Sequence, residues 1–159
     1  MIGQGLYQHD LDARPIFPRF QIPLTDKSLL QPHEIHVNQA FAAANRFLSS
    51  GIALDKGTPA KFSIFQPKAY KGIIASGDIF VSDPLSHETL KLTDQHVLAV
   101  EMEGGAVAQV CDEYKVPYIV IRTISDKADH SAHIDFQAFI SEIGSHFSAG
   151  ITREFIKAI

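Results

Sequence analysis

Residues 96–121 read HVLAVEMEGGAVAQVCDEYKVPYIVI, and this stretch decides the fold. Its first five residues, 96–100, are apolar enough to form a buried strand. A helix is predicted to follow at once, with five residues on one of its faces: Ala106, Val107, Val110, Cys111 and Tyr114. Pro117 then introduces a β-branched run at 118–121, which is typical of a central parallel strand.

Segments on both sides of this stretch continue the alternation of strands and helices. Helical spacing predicts a helix that Pro32 opens and Gly51 ends, and a short helix at 85–92. Residues 61–66 and 72–76 have strand character. The last helix carries one long apolar stripe: Phe136, Phe139, Ile140, Ile143, Phe147, Ile151 and Phe155.

These elements predict an α/β fold with three layers, in which helices flank a mainly parallel or mixed central sheet. The chain has 159 residues, and 45% of them are hydrophobic while 20% are charged. That composition suits one ordinary core and excludes disordered and disulfide-scaffold classes. We therefore expect a single domain over residues 1–159.

Charge and hydropathy limit the partners of this protein. Asp and Glu number 18 against 14 Lys and Arg, and a net charge of −4 argues against nucleic acid and anionic membranes as partners. No apolar run approaches the ~18 residues that a membrane helix needs. We find no export signal, and the single cysteine, Cys111, suits a reducing compartment, so we expect a cytoplasmic protein.

Residues at the carboxyl ends of the predicted strands are the first candidates for chemistry, because ligands of α/β sheets bind there. Glu101 and Glu103 lie between a predicted strand and a helix start. Either carboxylate could cap the helix, or it could accept hydrogen bonds from both hydroxyls of a vicinal diol such as a ribose.

The other two strand ends carry the same kind of ambiguity. Ser125 and Asp126 follow the most strand-like run, where they could form a cap or turn, or Asp126 could act as a general acid. Phe80 follows the strand at 72–76 and could be a core residue or stack on a flat heterocycle.

Metal and phosphate motifs do not occur in the sequence. The pairs His33 with His36 and His130 with His133 have a spacing of three residues, but no cysteine cluster or His-Glu-x-x-His pattern accompanies them. Gly104 and Gly105 are too short a run for a phosphate-binding loop. We therefore expect neither a metal site nor a cofactor.

Three segments, taken in order, carry a resemblance to a known family. They are residues 72–80 (GIIASGDIF), 99–108 (AVEMEGGAVA) and 120–129 (VIRTISDKAD). Together they resemble the 5′-methylthioadenosine/S-adenosylhomocysteine nucleosidases, which belong to the nucleoside phosphorylase superfamily. The similarity runs from about Tyr7 to the C-terminus.

The resemblance implies hydrolysis of the N-glycosidic bond of methylthioadenosine or adenosylhomocysteine, which releases adenine and the thioribose in methionine salvage. By the match to the family's Ser-Asp pair, Asp126 would protonate adenine N7 and Ser125 would orient its carboxyl group. Protonation of the leaving base lowers the barrier, since negative charge develops on the purine as the bond breaks.

The resemblance also implies which residues bind the substrate. Glu103 would hold the ribose hydroxyls, and Met102 would pack against the sugar. Phe80 would stack on adenine, while the backbone of Val81 would contact the Watson–Crick edge. Phe136 would close the pocket.

The sequence departs from the family's pattern at its N-terminus. The family's first strands, with the carboxylate that activates the hydrolytic water, have no counterpart, so we expect the chain to correspond to the C-terminal portion of such an enzyme. Family members are homodimers in which a loop matching residues 17–23 reaches the neighbouring subunit, and we expect a homodimer here.

Two alternatives to a nucleosidase stay open. One alternative is a non-catalytic fragment that binds purine nucleosides. A second is a nucleoside phosphorylase, which would need an anion site, although only Arg122 and Lys127 lie near the motifs.

Overall fold

The computed structural model describes residues 1–50, 62, 64, 66–82, 90, 97–125, 137 and 139–159. Within this part of the chain, three parallel strands lie side by side in the order β1 (Ile2–Gln8), β2 (Lys71–Ser76) and β3 (Val97–Glu101). The strands predicted at 72–76 and 96–100 are confirmed to within one residue.

In the part of the chain that the structure describes, three α-helices with defined bounds accompany the sheet: α1 (Glu34–Ser49), α2 (Gly104–Glu113) and α3 (Ser145–Ile156). A π-helical turn, Ile140–Gly144, leads directly into α3. The helix predicted from Pro32 begins two residues later, because His33 is its N-cap. None of the described helices is long and apolar enough to cross a membrane.

Two irregularities in strand pairing decide which side of the sheet each side chain faces. The pairing of β1 with β2 passes over Gln4, and the pairing of β2 with β3 passes over Leu98. Because side chains alternate between the two faces of a strand, each extra residue reverses the alternation. Ile2 therefore faces one side of the sheet, whereas Leu6 faces the other.

The α1 and α3 helices cover the face to which Ile2 points. Their shared core contains buried Ile2, Val37, Ala40, Ala44 and Ile151. The stripe predicted for the last helix is confirmed where it recurs every four residues, at Phe139, Ile143, Phe147 and Ile151. Ile140 is 48% exposed instead, since one residue turns a helix by about 100° and carries it off that stripe.

Helix α2 covers the opposite face, against Leu6, Ile74 and Ala99. It buries its small residues Gly104, Gly105 and Ala108. The apolar face predicted from spacing lies on the outside instead, where Val107, Val110 and Tyr114 are each more than half exposed. Small residues allow the helix to approach the sheet closely, so the larger side chains point away from it.

The prediction of a parallel strand at 118–121 is wrong. These residues meet β1 through a single antiparallel bridge, Ile2 with Ile121, and Gly3 N donates to Val120 O at 2.9 Å. Val120 still packs on the α2 side, while Ile119 and Ile121 pack on the α1 side. The β-branched run therefore predicts burial and extension correctly, but it does not specify the pairing partner.

Two further expectations fall partly outside the described residues. Phe62, Ile64 and Gln66 do not lie in a strand, and Phe62 and Ile64 pack instead against the buried cluster of Phe139, Ile143 and Phe147. From the helix predicted at 85–92, Leu90 is described, and it is helical and buried.

Candidate functional site

The carboxyl ends of the three strands bring a row of polar residues together. Gln8 pairs with Ser76, and Ser76 pairs with Glu101, so the three lie side by side across the sheet. Their side chains share the face that α2 covers, because the alternation along each strand puts them on the side of Leu6 and Ile74. Strand ends of this kind are where ligands of α/β proteins bind.

The first turn of α2 is held by two of these residues. Gly104 N donates to Glu101 Oε2 at 2.7 Å, and Gly105 N donates to Ser76 Oγ at 2.9 Å. A Cβ on Gly105 would lie 2.7 Å from the Ser76 Cβ, so glycine is what allows this approach. Of the two carboxylates considered from the sequence, Glu101 is therefore the one that caps the helix.

Glu103 occupies the N-cap position of α2 but makes no capping bond with its side chain. That side chain is 72% exposed, and its Oε2 accepts a hydrogen bond from Arg122 Nη2 at 3.0 Å. Met102, just before it, is 41% exposed. The exposed carboxylate retains capacity to accept hydrogen bonds from hydroxyl groups in the space above the strand ends.

Arg122 also donates to Glu101, so one guanidinium contacts both carboxylates. Burial alone would raise the pKa of Glu101. Hydrogen bonds from Ser76 and from the Gly104 amide, together with the charge of Arg122, lower that pKa below its ordinary value. Glu101 is therefore ionised at neutral pH and forms a partly buried ion pair with Arg122.

Arg122 and Ser76 are residues whose roles sequence reasoning missed. Arg122 stands inside an apolar, β-branched run, where a charged side chain needs a partner, and that contrast is the signal that could have drawn attention to it. Nothing local in the sequence pairs Ser76 with Gly105, which is 29 residues away.

The turn after β2 is fixed by the chain that follows β1. Asp78 N donates to Asp10 Oδ2 at 2.7 Å, and His9 N donates to Ser76 O at 2.9 Å. A Cβ on Gly77 would lie 2.6 Å from His9 Nε2, so no larger residue fits there unchanged. His9 itself is buried, which lowers the pKa of its imidazole, while the charge of Asp10 acts in the opposite direction.

This turn leads to two of the predicted base-binding residues. Phe80 is 39% exposed, whereas Val81 is buried and packs with Tyr7, Ala75 and Leu90. Phe80 is thus at the surface of the strand-end region rather than in the core.

The remaining predicted site residues are only partly described. Ser125 is half-buried and lies three residues beyond Arg122. Asp126 and Phe136 lie outside the described residues, as do His130 and His133. In the described ranges no cluster of three or more His, Cys, Asp or Glu side chains could hold a metal ion, and the rings of His33 and His36 are 5.9 Å apart.

Comparisons with known proteins identify the family to which this chain is similar. The family model described as "Phosphorylase superfamily" matches residues 1–157. A 5′-methylthioadenosine/S-adenosylhomocysteine nucleosidase from Shewanella denitrificans is 35% identical over 100 residues, which make up 63% of this chain and 44% of that protein. The chain thus spans less than half the length of this curated relative.

The solved structures that are similar over nearly the whole chain include two different kinds of hydrolase. The same type of nucleosidase from Neisseria meningitidis, in complex with methylthio-immucillin-A, superposes with a TM-score of 0.81 and 28% identity, covering 99% of this chain and 61% of that one. The futalosine hydrolase of Helicobacter pylori superposes with a TM-score of 0.74 and 31% identity, covering 99% of this chain and 59% of that one.

Proposed function

Because this chain belongs to the phosphorylase superfamily, we propose that it acts in the hydrolysis of the N-glycosidic bond of 5′-methylthioadenosine or S-adenosylhomocysteine. The names of the Shewanella and Neisseria relatives support this choice of substrates. The observation that carries the proposal is that two neighbouring carboxylates have different surroundings and different roles. Glu101 is used by the helix cap, whereas Glu103 is exposed at the same strand end.

Glu103 is proposed to hold the ribose. A carboxylate has two acceptor oxygens, so it can take a hydrogen bond from each hydroxyl of a vicinal diol. Arg122 occupies one position on Oε2, which leaves Oε1 and part of Oε2 for the substrate. Met102 is proposed to pack its side chain against the sugar.

The purine is proposed to bind along the chain that follows β2. Phe80 is exposed enough to stack on a flat ring, and buried Val81 offers its backbone to the edge of the base. Phe136 is proposed to close the pocket.

Asp126 is proposed to be the general acid that protonates adenine N7, with Ser125 orienting its carboxyl group. The purine gains negative charge as the bond to the ribose breaks, so a proton delivered at N7 stabilises the transition state. A positioned acid of this kind contributes ~10²–10⁴ in rate.

Adenine release from methylthioadenosine tests the proposal. The purified chain should release adenine if a group outside the described residues activates the hydrolytic water, and Asp126→Asn should then lower the rate by about 10² or more. Glu103→Gln should lower the rate as well. Glu113→Gln is the matched control, since Glu113 is an exposed carboxylate at the far end of α2, and it should leave the rate unchanged. Release that survives Asp126→Asn would contradict the assignment of the acid.

The same assay separates the alternatives. A chain that binds nucleosides without turnover would show binding in calorimetry and no adenine. A phosphorylase would require phosphate and form a sugar 1-phosphate, but Arg122 is already bonded to two carboxylates, which disfavours a phosphate there. Futalosine should be assayed in parallel, because the Helicobacter pylori hydrolase is structurally similar.

We also propose that the chain is one domain and forms a cytoplasmic homodimer. The exposed apolar face of α2, with Val107, Val110 and Tyr114, supports association, since such patches mark interaction surfaces. Light scattering on the purified chain should give twice the monomer mass of 17.5 kDa, and a monomer would contradict the proposal.

A further inference from the structure

Arg122 joins two carboxylates whose surroundings differ strongly. Its Nη2 atom donates to Glu101 Oε2 and also, at 3.0 Å, to Glu103 Oε2. The Glu101 side chain is 8% exposed, whereas the Glu103 side chain is 72% exposed. One guanidinium group therefore ties an exposed carboxylate to a buried one.

Glu101 is itself fixed from several directions. Both of its oxygens accept from Gly104 N, at 2.7 and 3.0 Å, and Oε2 lies 3.3 Å from Glu103 N. The Ser76 hydroxyl hydrogen-bonds to the same carboxylate. Because these donors come from both β2 and the first turn of α2, the carboxylate cannot rotate without breaking the helix cap.

We infer that Glu101 is a positioning residue, which fixes the guanidinium of Arg122 and through it orients the Glu103 carboxylate towards the ribose. This inference rests on the proposed function, and it extends the site to two residues that do not contact the sugar. An exposed glutamate samples several rotamers, and ordering it opposes binding. A carboxylate that is already oriented loses less of the interaction free energy on binding.

Sharing the guanidinium also leaves Glu103 available to the substrate. A carboxylate can accept about four hydrogen bonds, and an arginine fork can occupy two of them when it pairs with one carboxylate alone. Here a single nitrogen of Arg122 serves both glutamates. Glu101 therefore both anchors Arg122 and keeps it from pairing fully with Glu103.

A purely structural cap is the rival explanation. Loss of such a cap would lower the stability of α2, and it could shift Glu103 at the N-cap, but Arg122→Gln, which retains the cap, would then leave the ribose preference unchanged. Loss of a positioning residue would weaken only the part of the affinity that depends on the ribose hydroxyls. The ratio of two dissociation constants, measured with and without those hydroxyls, separates the two explanations.

The experiment uses formycin A, an adenosine analogue with a carbon–carbon glycosidic bond that the chain cannot hydrolyse, and its 2′,3′-dideoxy form. Calorimetry gives the ratio of their Kd values for each variant. The unmodified chain should prefer the diol by about tenfold or more, as expected for hydrogen bonds to a charged group. Glu103→Gln should remove most of that preference.

Glu101→Gln and Arg122→Gln should each reduce the preference several-fold while leaving the Kd of the dideoxy compound unchanged. Combining either change with Glu103→Gln should reduce the preference for the diol no further than Glu103→Gln alone. The effects of substitutions at residues that act through one another are not additive. Arg122→Lys should restore part of the preference. Glu113→Gln serves as the control and should leave it intact.

A ratio unchanged by Glu101→Gln, or affinities for both compounds that fall together, would overturn the inference. If Glu101→Gln does not fold, Arg122→Gln decides, because it retains the cap. If Glu103→Gln leaves the ratio unchanged, the proposed role of Glu103 fails independently. If neither compound binds, crystal structures decide: a displaced Glu103 carboxylate in Glu101→Gln supports the inference, and an unmoved one overturns it.

Discussion

The first turns of α1 and α2 satisfy their free amides in different ways. Helix α1 is capped locally, by the His33 Nδ1 atom, which accepts a hydrogen bond from Ile35 N at 3.3 Å. Helix α2 is capped from the ends of two strands, by Glu101 and Ser76. A local cap fixes where a helix begins, whereas a cap from the sheet also fixes where the helix lies. The candidate site is built at the second kind of helix start.

Of the changes that test this comparison of the two helix starts, replacing Glu101 should have the largest effect on the free energy of unfolding. Glu101→Leu leaves the Gly104 amide and Arg122 without their buried acceptor, and it should lower the free energy of unfolding by about 2–3 kcal/mol. Urea unfolding measures the change, with Glu113→Leu on the exposed side of α2 as the control. A loss below about 0.5 kcal/mol, the range of ordinary surface substitutions, would show that the cap from the sheet contributes little.

Ser76→Ala should have the next largest effect. It leaves the buried Gly105 amide without an acceptor, which costs about 1–2 kcal/mol. The Gly105 amide should also exchange faster with deuterium. Ser50→Ala is the matched control, since the Ser50 hydroxyl is exposed at the end of α1 and donates to Phe47 O, and it should change stability by under about 0.5 kcal/mol.

Acid should weaken the α2 cap selectively. The pKa of Glu101 is lower in the folded protein than its ordinary value of 4.5, so its ionised form favours folding. This contribution is fully present above pH 4.5 and is lost as the pH falls through the lowered pKa. The stability gap between the unmodified chain and Glu101→Gln should therefore narrow below pH 4.5 in urea titrations. A constant gap would contradict the ion-pair assignment.

His33→Ala should have a smaller effect at the local cap of α1. The bond from Ile35 N is exposed and water can replace it, so we expect a loss of about 0.5 kcal/mol in urea unfolding. An effect as large as that of Ser76→Ala would remove the distinction between the two helix starts.

The smallest effect should come from Lys27→Met, which breaks an ion pair that is distant in sequence but exposed. Lys27 Nζ lies 2.7 Å from Asp112 Oδ2 on α2, and side chains at this exposure contribute a few tenths of a kcal/mol. The loss should disappear in high salt. A larger, salt-independent loss would mean that contacts between distant segments stabilise α2 regardless of burial.

Local signals explain which parts of the fold could be predicted. The start of α1 follows from Pro32 and the spacing behind it, and the apolar runs at 72–76 and 96–100 predict β2 and β3. The run at 118–121 has the same composition as a central strand, but pairing depends on which segment lies beside it in space. Spacing on α2 finds an apolar face without showing that Gly104 and Ala108, rather than that face, meet the sheet.

The site follows the same division. The sequence places the candidate site residues at the carboxyl ends of the strands, and both Glu101 and Glu103 are among them. Which glutamate caps the helix depends on Arg122 and Ser76. Arg122 is 21 residues from its partner Glu101, and Ser76 is 29 residues from its partner Gly105. The positions of Ser125 and Phe80 are described, whereas the predicted role of Asp126 remains a prediction for kinetics to test.

The two residues that strand pairing passes over, Gln4 and Leu98, have a consequence for how these strands can change. Each acts as a phase shift within its strand, so the residues before and after it belong to different layers of the protein. Deleting Gln4 would rotate Ile2 out of the α1 layer and into the α2 layer, with no change in its chemistry. In β1 and β3, substitutions that keep the residue count should therefore be accepted far more often than gains or losses of a single residue.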